Sequence, residues 1–412
     1  MTESWGRYPA AAHVAEFPLA WRSEARIPPV RPVLAYGQGR SYGDCCLNDG
    51  GALLKTGGLD RFISFQDGIV RCEAGITLGE ILELAVPRGY FLPVVPGTKH
   101  VSVGGAIAND IHGKNHHRAG TFGRHVRRLE LLRSDGSRAE VSAGDELFNA
   151  TVGGLGLTGL ITWAEIALRP VPGAAVQTDA LKFTGLDEFF AISDESDALC
   201  EYTVAWLDVL SREHRGIFYR GDHAAGAVRA PRARVSVPVD VKLVNGLTVR
   251  AFNAAYYLAQ RGGKRVGHYD PFFFPLDAVD RWNRLYGKGG FLQFQCVVPA
   301  REGLRELLDE IARLGAGSPL TVLKKFGDVP SPGMLSFPRP GFTVAIDLPS
   351  SEIQTFARLE SIAAGAGGAL YPAKDARMSR LSFARSFPRL EQFQRFVDPA
   401  FSSSFWRRVA PK

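Results

Sequence analysis

The sequence has no long uninterrupted apolar run and few cysteines, and each shortage excludes a class of protein. No stretch approaches the roughly 18 apolar residues that a membrane-spanning helix needs. The first residues, MTESWGRYPA, lack the basic-then-apolar pattern of a secretory signal. The five cysteines have neither the spacing of a zinc site nor that of a disulfide framework. We therefore expect a cytoplasmic protein with reduced thiols.

The composition is that of a globular protein with a basic excess. Hydrophobic residues make up 45% and charged residues 22% of the 412 positions, and this length predicts two or three packed units. The formal net charge of +7 favours anionic partners such as phosphorylated substrates, anionic lipid or nucleic acid. Most Lys and Arg residues nevertheless lie on solvated surfaces in any protein. Because no nucleic-acid motif accompanies the charge, we expect no nucleic-acid partner.

The first 172 residues alternate short apolar segments with glycine turns, whereas aromatic and basic residues interleave after about residue 173. Thr77 and Glu80 have the spacing of a capping box, and Pro87 with Gly89 would end the helix that follows. Strands and helices arranged in this way predict an α+β fold. The predicted strands of the first part are 32–36, 69–74, 126–132 and 160–168.

Segment 36–44 follows an apolar strand and contains three glycines, which let backbone N–H groups approach an anion closely. It lacks the third glycine of the Rossmann spacing and the Lys-Ser/Thr pair of a P-loop. A diphosphate cradle and a purely structural glycine turn therefore both remain open for this segment taken alone.

Segment 96–117 alternates small residues with polar ones. Glycines at 104 and 105 would allow the backbone, bare of side chains, to lie flat against a large planar ring system. Another cluster, 153–159, could wrap the far end of the same ligand. Histidines at 112, 116 and 117 do not favour a metal site, because only Asp110 lies near enough in sequence to join them as a ligand.

Alternation in the second part predicts strands near 291–297 and 322–327. Gln293 and Gln295 share one strand face. That face is either solvated or enclosed, and in the second case the amide groups would suit sugar hydroxyls. Residues 272–274 are three phenylalanines between two prolines. They either belong to the core or form an apolar rim that contacts lipid or an apolar substrate tail.

Five segments resemble the decaprenylphosphoryl-ribose 2′-oxidase family, within the FAD-dependent oxidoreductases typified by vanillyl-alcohol oxidase and p-cresol methylhydroxylase. The resemblance implies a two-lobed α+β fold. Its parts would be a PCMH-type FAD-binding domain (1–172), a sheet-based substrate-binding domain (173–370) and a C-terminal segment (371–412) that returns to the FAD domain. The segments are GQGRSYGD, PGTKHVSVGGAIANDIHGKNHHRAGTFGRHV, TVGGLGLTG, DRWNRLYGKGGFLQFQ and YPAKDAR.

The resemblance also implies the residues of the site. The diphosphate of FAD would lie on Gly37, Gln38, Gly39, Arg40, Ser41, Tyr42, Gly43 and Asp44. The flavin would contact Gly97, Gly104, Gly105, Asn109, Ile111, His112 and Tyr371, with Ile161 near the adenine. The substrate would face Trp206, Arg284, Gln293, Gln295, Lys324 and Lys374.

Three positions differ from relatives. Arg40 stands where many superfamily members attach FAD through a histidine, so we expect non-covalent, dissociable FAD. Phe273 replaces an expected tyrosine and removes a hydroxyl that could contact substrate. Ala345 replaces the cysteine of mycobacterial members, which removes a target of covalent inhibitors without changing the expected chemistry.

The activity implied is FAD-dependent oxidation of a secondary sugar hydroxyl to a ketone, with hydride transfer to flavin N5. The implied substrate is the 2′-hydroxyl of a polyprenyl-phosphoryl-ribose, and a nicotinamide-dependent short-chain reductase would complete epimerisation to arabinose. Lys374 would stabilise the reduced flavin, unless it only pairs with Asp375, and His112 would orient or deprotonate the sugar or pack on the flavin.

Two other functions remain open at this point. One is an alditol, aldonolactone or natural-product sugar oxidase of the same superfamily. The other is a basic protein that binds nucleic acid or a membrane. The basic charge and the phenylalanine run suit a phosphorylated, lipid-linked substrate and a peripheral membrane contact.

Overall fold

The computed structural model describes residues 2–231 and 234–411, which form mixed helices and sheets of the α+β class. Across these two ranges, no helix is both long enough and apolar enough to cross a lipid bilayer. The helices are α1 (Leu78–Ala85), α2 (Val103–Ala108), α3 (His116–Ala119), α4 (Glu146–Thr151), α5 (Leu186–Leu199), α6 (Gly246–Ala259), α7 (Tyr269–Phe273), α8 (Arg301–Arg313), α9 (Ile353–Gly365), α10 (Arg380–Ser386), α11 (Leu390–Gln394) and α12 (Ser404–Val409).

The strands belong to two large and several small sheets. They are β1 (Ala15–Pro18), β2 (Val33–Tyr36), β3 (Ala52–Lys55), β4 (Phe62–Gln66), β5 (Ile69–Glu73), β6 (Tyr90–Phe91), β7 (Val126–Leu132), β8 (Arg138–Ser142), β9 (Leu160–Ala167), β10 (Arg169–Pro170), β11 (Ala175–Phe183), β12 (Tyr202–Leu207), β13 (Gly216–Ala224), β14 (Val235–Ser236), β15 (Gly263–His268), β16 (Val279–Asp280), β17 (Phe291–Val298), β18 (Thr321–Phe326), β19 (Gly341–Pro349) and β20 (Ala369–Leu370).

The first large sheet has five strands in the order β4-β5-β9-β7-β8, beside a small parallel sheet ordered β1-β3-β2. The four strands predicted in this part are confirmed to within one residue at each end. The predicted capping box is also confirmed: the Thr77 hydroxyl accepts from the Glu80 N–H at 3.2 Å, and the Thr77 N–H donates to the Glu80 carboxylate at 2.8 Å. Helix α1 therefore begins where the sequence indicates.

The second large sheet has eight strands in the order β15-β11-β13-β12-β18-β19-β17-β20. All eight residues of β17 are buried, because the strand lies between neighbours in the sheet and is covered by α8 and α9. A solvated face for Gln293 and Gln295 is therefore wrong, and the enclosed alternative holds. The register places Gln293 opposite Asp347 of β19 and Gln295 opposite Ala345.

The phenylalanine run contributes mainly to the core. Phe273 and Phe274 are buried among the side chains that pack under the five-stranded sheet. The interpretation of these two as an apolar rim is therefore wrong, because the turn after α7 directs them inward. Phe272 is only partly buried and lines a large cavity.

The C-terminal segment packs against the first strands. Val33 bridges Phe401, and the Val33 N–H donates to the Ala400 carbonyl at 2.8 Å. The Arg408 guanidinium contacts the Asp44 carboxylate at 2.6 Å. Residues after β20 are thereby held beside the glycine segment that follows β2.

Candidate FAD and substrate site

One cavity of about 1110 Å³ is lined by residues from both large sheets. Ligand pockets commonly have about 300–1,000 Å³, so this space suits a dinucleotide together with a substrate. Of the predicted site residues, it is lined by Gly37, Gln38, Gly39, Arg40, Ser41, Tyr42, Gly97, Gly104, Gly105, Asn109, Ile111, His112, Ile161, Trp206, Gln293, Gln295, Lys324, Tyr371 and Lys374.

Three predicted site residues do not line the cavity. Gly43 packs on the C-terminal segment, where an added Cβ would lie 1.6 Å from the Asp375 carbonyl oxygen. Asp44 pairs with Arg408. Arg284 turns away from the cavity and donates hydrogen bonds to the backbone carbonyls of 237 and 238.

The glycine segment after β2 forms one wall of the cavity. A Cβ on Gly37 would lie 2.3 Å from the Ser102 hydroxyl, and Gly39 has a φ of +61° with Tyr36 directly behind it. A side chain at either position would collide with its neighbour or strain the backbone. The segment therefore presents bare backbone because of its own packing.

The second glycine cluster forms helix α2. Ser102 caps this helix by accepting from the Gly105 N–H at 3.3 Å. Gly104 is close to the preceding sheet, since its N–H donates to the Ala74 carbonyl at 2.8 Å and a Cβ would lie 3.2 Å from the Ala74 methyl. Gly104 and Gly105 both line the cavity, and the contact of their backbone with a planar ring stays a prediction.

Arg40 supplies positive charge to the glycine wall. Its guanidinium lies 4.2 Å from the centre of the Trp5 ring, and its buried Nε has no hydrogen-bond partner among residues 2–231 and 234–411. Burial lowers the pKa of this group, which marks a poorly solvated cation. A cation with spare donors beside bare backbone N–H groups fits the diphosphate of FAD.

His112 occupies the junction between α2 and the eight-stranded sheet. The amide nitrogen of Gln295 lies 3.0 Å from Nε2 and 3.2 Å from the Thr343 hydroxyl. With the amide donating to Nε2, the ring proton is on Nδ1, which has no partner among the described residues. Burial, followed by the charges of Lys324, His116 and Lys374, holds the pKa of His112 well below its usual value. The imidazole is therefore neutral.

Lys324 and Lys374 line the cavity, and the buried carboxyl group of Asp347 lies near Lys374. Lys374 places its ammonium 3.5 Å from the centre of the Tyr42 ring, and burial lowers its pKa while nearby Asp347 raises it. Burial raises the pKa of Asp347, which accepts a hydrogen bond from the Gln293 amide. Burial also lowers the pKa of Lys324 to about 8.

The neighbour of Lys374 in sequence is not its partner. Asp375 contacts Arg408 at 3.1 Å and accepts backbone N–H groups at 377 and 378. The interpretation of Lys374 as one half of a surface ion pair is therefore wrong. Its charge is directed into the cavity.

Comparison with known proteins gives both a domain and a full-length match. Residues 28–142 match the FAD binding domain family. Decaprenylphosphoryl-beta-D-ribose oxidase of Mycolicibacterium smegmatis is 38% identical over 92% of this chain and 89% of its own length. This chain belongs to the decaprenylphosphoryl-β-D-ribose oxidase family. It is an FAD-dependent oxidoreductase.

Two other relatives match this ribose oxidase family member at lower identity and over less of its length. An uncharacterised protein of Streptomyces coelicolor is 35% identical over 81% of the chain and 100% of its own length. An alditol oxidase of a Streptomyces species is 31% identical over 24% of each protein. The match to the alditol oxidase covers too little of either chain to carry a substrate argument.

Three polar groups of this family member were not predicted from the sequence as part of the site. Asp347 is a single carboxylate in the otherwise apolar strand β19, and that contrast was the available signal. Lys114 donates to the Phe273 carbonyl at 3.0 Å, and burial lowers its pKa to about 7. Thr343 joins Gln295 on the neighbouring strand. Each lies in the cavity wall or directly behind it.

His116 and His117, the other histidines of this cluster, take structural positions. His116 packs 4.5 Å from the Phe326 ring, and His117 places Nε2 3.2 Å from the Cys200 carbonyl oxygen. Within the described ranges, no group of three or more His, Cys, Asp or Glu side chains is placed to hold a metal ion.

Proposed function

We propose that this enzyme oxidises a secondary sugar hydroxyl to a ketone, and that its substrate is a polyprenyl-phosphoryl-ribose oxidised at the 2′-hydroxyl. The Mycolicibacterium relative carries this sugar lipid in its name. The observation that carries the proposal is the enclosed pair Gln293 and Gln295, which lies beside two lysines in a cavity with long apolar walls. A nicotinamide-dependent reductase would then convert the ketone to arabinose.

The proposal includes two lobes. The FAD-binding lobe comprises 1–172 and the substrate lobe 173–370, with 371–412 returning to the first. Each large sheet has its own main apolar core, which supports two lobes, while Cys45 and Leu157 in one core and Tyr202 and Phe273 in the other pack across the boundary at residue 172. The placement of Tyr371 and Lys374 beside the glycine wall supports the assignment of the last segment.

The cavity has a polar end and an apolar end. Amides and ammonium groups at the polar end suit sugar hydroxyls and a phosphate. The other end would accept an isoprenoid chain but is not needed by a free alditol. This contrast favours a lipid-linked sugar over a free polyol. The apolar end is lined by Val249, Phe252, Tyr256, Leu276 and Val279.

Alcohol oxidation requires removal of a hydride from carbon and of a proton from oxygen. Bound FAD supplies the two-electron acceptor. We assign the proton to Lys374, because its lowered pKa lets it be neutral near physiological pH. Asp347 would then stabilise the ammonium that forms. His112 is a poor base beside these cations, so we do not assign the proton to it.

Anaerobic bleaching of the flavin absorbance tests this function. The purified holoenzyme should bleach with a short-chain polyprenyl-phosphoribose and remain yellow with free alditols. Lys374→Met should retain FAD but bleach at least about 100-fold more slowly, the usual loss for a missing general base. Lys325→Met is the matched control, since Lys325 is held by Asp194 and Asp197 at 2.8 Å each. Bleaching by free polyols alone would contradict the proposed substrate.

A further inference from the structure

Residues 235–266 carry an unusual share of exposed apolar surface. Seven of the fourteen exposed large hydrophobic side chains among the described residues lie in this short stretch. Contiguous exposed apolar surface of this kind marks contact with a membrane or another macromolecule. The seven are Val235, Val239, Leu243, Leu247, Phe252, Leu258 and Val266.

Helix α6 is the centre of this surface and is apolar on two sides. On its inner side, Val249 and Asn253 are buried, and the Asn253 amide donates to Asp208 at 3.0 Å. On its outer side, Leu247 and Leu258 are 80% and 73% exposed. The hydrogen bond and the buried valine anchor the helix, so the outer leucines are not exposed through fraying.

The sequence stretch that contains α6 and β15 carries charge of one sign, although Asp208 lies behind α6 and Asp280 pairs with Ser236. Residues 241–269 contain five Lys or Arg residues and no Asp or Glu. The nearest preceding carboxylate, Asp240, is bound by Arg7 at 2.6 Å. Basic side chains around an apolar helix face are the composition that binds anionic lipid at the bilayer interface. The five basic residues are Lys242, Arg250, Arg261, Lys264 and Arg265.

The same helix is a wall of the substrate cavity. Val249, Phe252 and Tyr256 line its apolar end, and β15 adds Arg265 and Val266 next to them. Leu243, Phe252 and Val266 are both exposed and part of the cavity lining, so the cavity meets the protein surface at these side chains. A bilayer docked there would shield the tail of an entering lipid-borne molecule from water.

We propose that the surface formed by α6 and β15, with residues 235–243, docks on an anionic lipid bilayer and so presents the apolar end of the cavity to lipid. The part concerning substrate entry rests on the proposed function. The docking on the bilayer does not rest on the proposed function. This assigns the membrane contact to α6 and not to the phenylalanine run of α7.

Vesicle flotation tests the docking with the full-length holoenzyme. Vesicles of phosphatidylcholine alone are compared with vesicles of equimolar phosphatidylcholine and phosphatidylglycerol. The protein should float with the second kind only. Two variants, Leu247→Glu with Leu258→Glu and Arg261→Glu with Lys264→Glu, should each reduce binding about tenfold or more, because apolar burial and charge both contribute.

Matched controls change equivalent residues elsewhere. Leu199 and Leu381, which are 63% and 59% exposed, are replaced by Glu as the apolar control. Arg380→Glu with Arg385→Glu is the charge control, since both arginines are exposed. Both control proteins should float like the wild type. Equal loss in the controls, or no flotation of the wild type with anionic vesicles, would overturn the proposal.

Two further measurements separate this proposal from others. Size-exclusion chromatography without lipid tests whether this surface is a self-association interface. It would be one if the wild type were oligomeric and the Leu247→Glu, Leu258→Glu double variant were monomeric. That result would overturn membrane docking. Bleaching with a water-soluble short-chain substrate should be unchanged in the docking variants. Failure of bleaching in the wild type would instead count against the proposed function and leave the flotation result standing.

Discussion

Lys324 gives the sharpest pH prediction. Its pKa of about 8 results from burial, compared with 10.5 for an ordinary lysine. About 90% of the side chain is therefore protonated at pH 7 and about 10% at pH 9. If the ammonium binds the substrate phosphate, this attraction is complete below pH 8 and is lost as the pH rises through 8. The phosphodiester itself does not titrate in this range.

The expected fall in kcat/KM follows from the strength of the hydrogen bond between the Lys324 ammonium and the substrate phosphate. A hydrogen bond to a charged group contributes about 1.5–3 kcal/mol, so kcat/KM should fall about 10- to 100-fold above pH 8. The assay is stopped-flow bleaching with short-chain polyprenyl-phosphoribose from about pH 6 to pH 10. A rising limb is also expected at lower pH, because Lys374 must lose its proton to act as a base.

Variants test which lysine causes the falling limb and which causes the rising limb of the pH profile of kcat/KM. Lys324→Met should lower kcat/KM below pH 8, abolish the falling limb and move the rising limb to higher pH, because the Lys324 charge lowers the pKa of Lys374. Lys325→Met should preserve both, because its ammonium is paired with Asp194 and its pKa is raised. A falling limb that persists in Lys324→Met, or disappears in Lys325→Met, would refute the reasoning.

Three further predictions concern the cofactor, the glycine wall and the buried carboxyl group. Acid precipitation should release all FAD into the supernatant, because Arg40 replaces the linking histidine of relatives; flavin in the pellet would contradict this. Gly43→Ala should lower the free energy of unfolding by about 1–3 kcal/mol or more through collision with Asp375, measured by thermal unfolding. Gly57→Ala, with nothing within 4 Å of its new methyl, is the control, and equal losses would argue against a collision. Asp347→Asn should move the rising limb of the pH profile to lower pH, because Asp347 raises the pKa of Lys374; an unmoved limb would exclude this coupling.

Local patterns predicted much of the fold. The capping residues and apolar alternation were sufficient for α1 and for strands β7 and β17, because caps and side-chain period act within a few residues. The sequence could not show that the face of β17 is enclosed. That depends on strands and helices more distant along the chain.

Only part of the candidate site could be predicted from the sequence, again because some of its contacts join residues that are far apart along the chain. His112 meets Gln295 across 183 positions, a distance over which periodicity carries no information. The family resemblance supplied the grouping of Lys374 with the glycine segments, and the structure places them in one cavity. Asp347 was missed because its one signal, a carboxylate among apolar strand residues, does not say which distant groups it meets.

The packing of the last segment on the first strands has a consequence for synthesis. The Tyr42 N–H donates to the Ala373 carbonyl at 2.9 Å, and Val33 is bonded to Ala400. On the ribosome, the glycine wall emerges early but lacks these partners until residues 373 and 400 have left the exit tunnel. A shorter nascent chain therefore cannot complete the flavin site, and loading of FAD should follow their emergence. Ribosome-bound chains halted before residue 371 should fail to retain FAD.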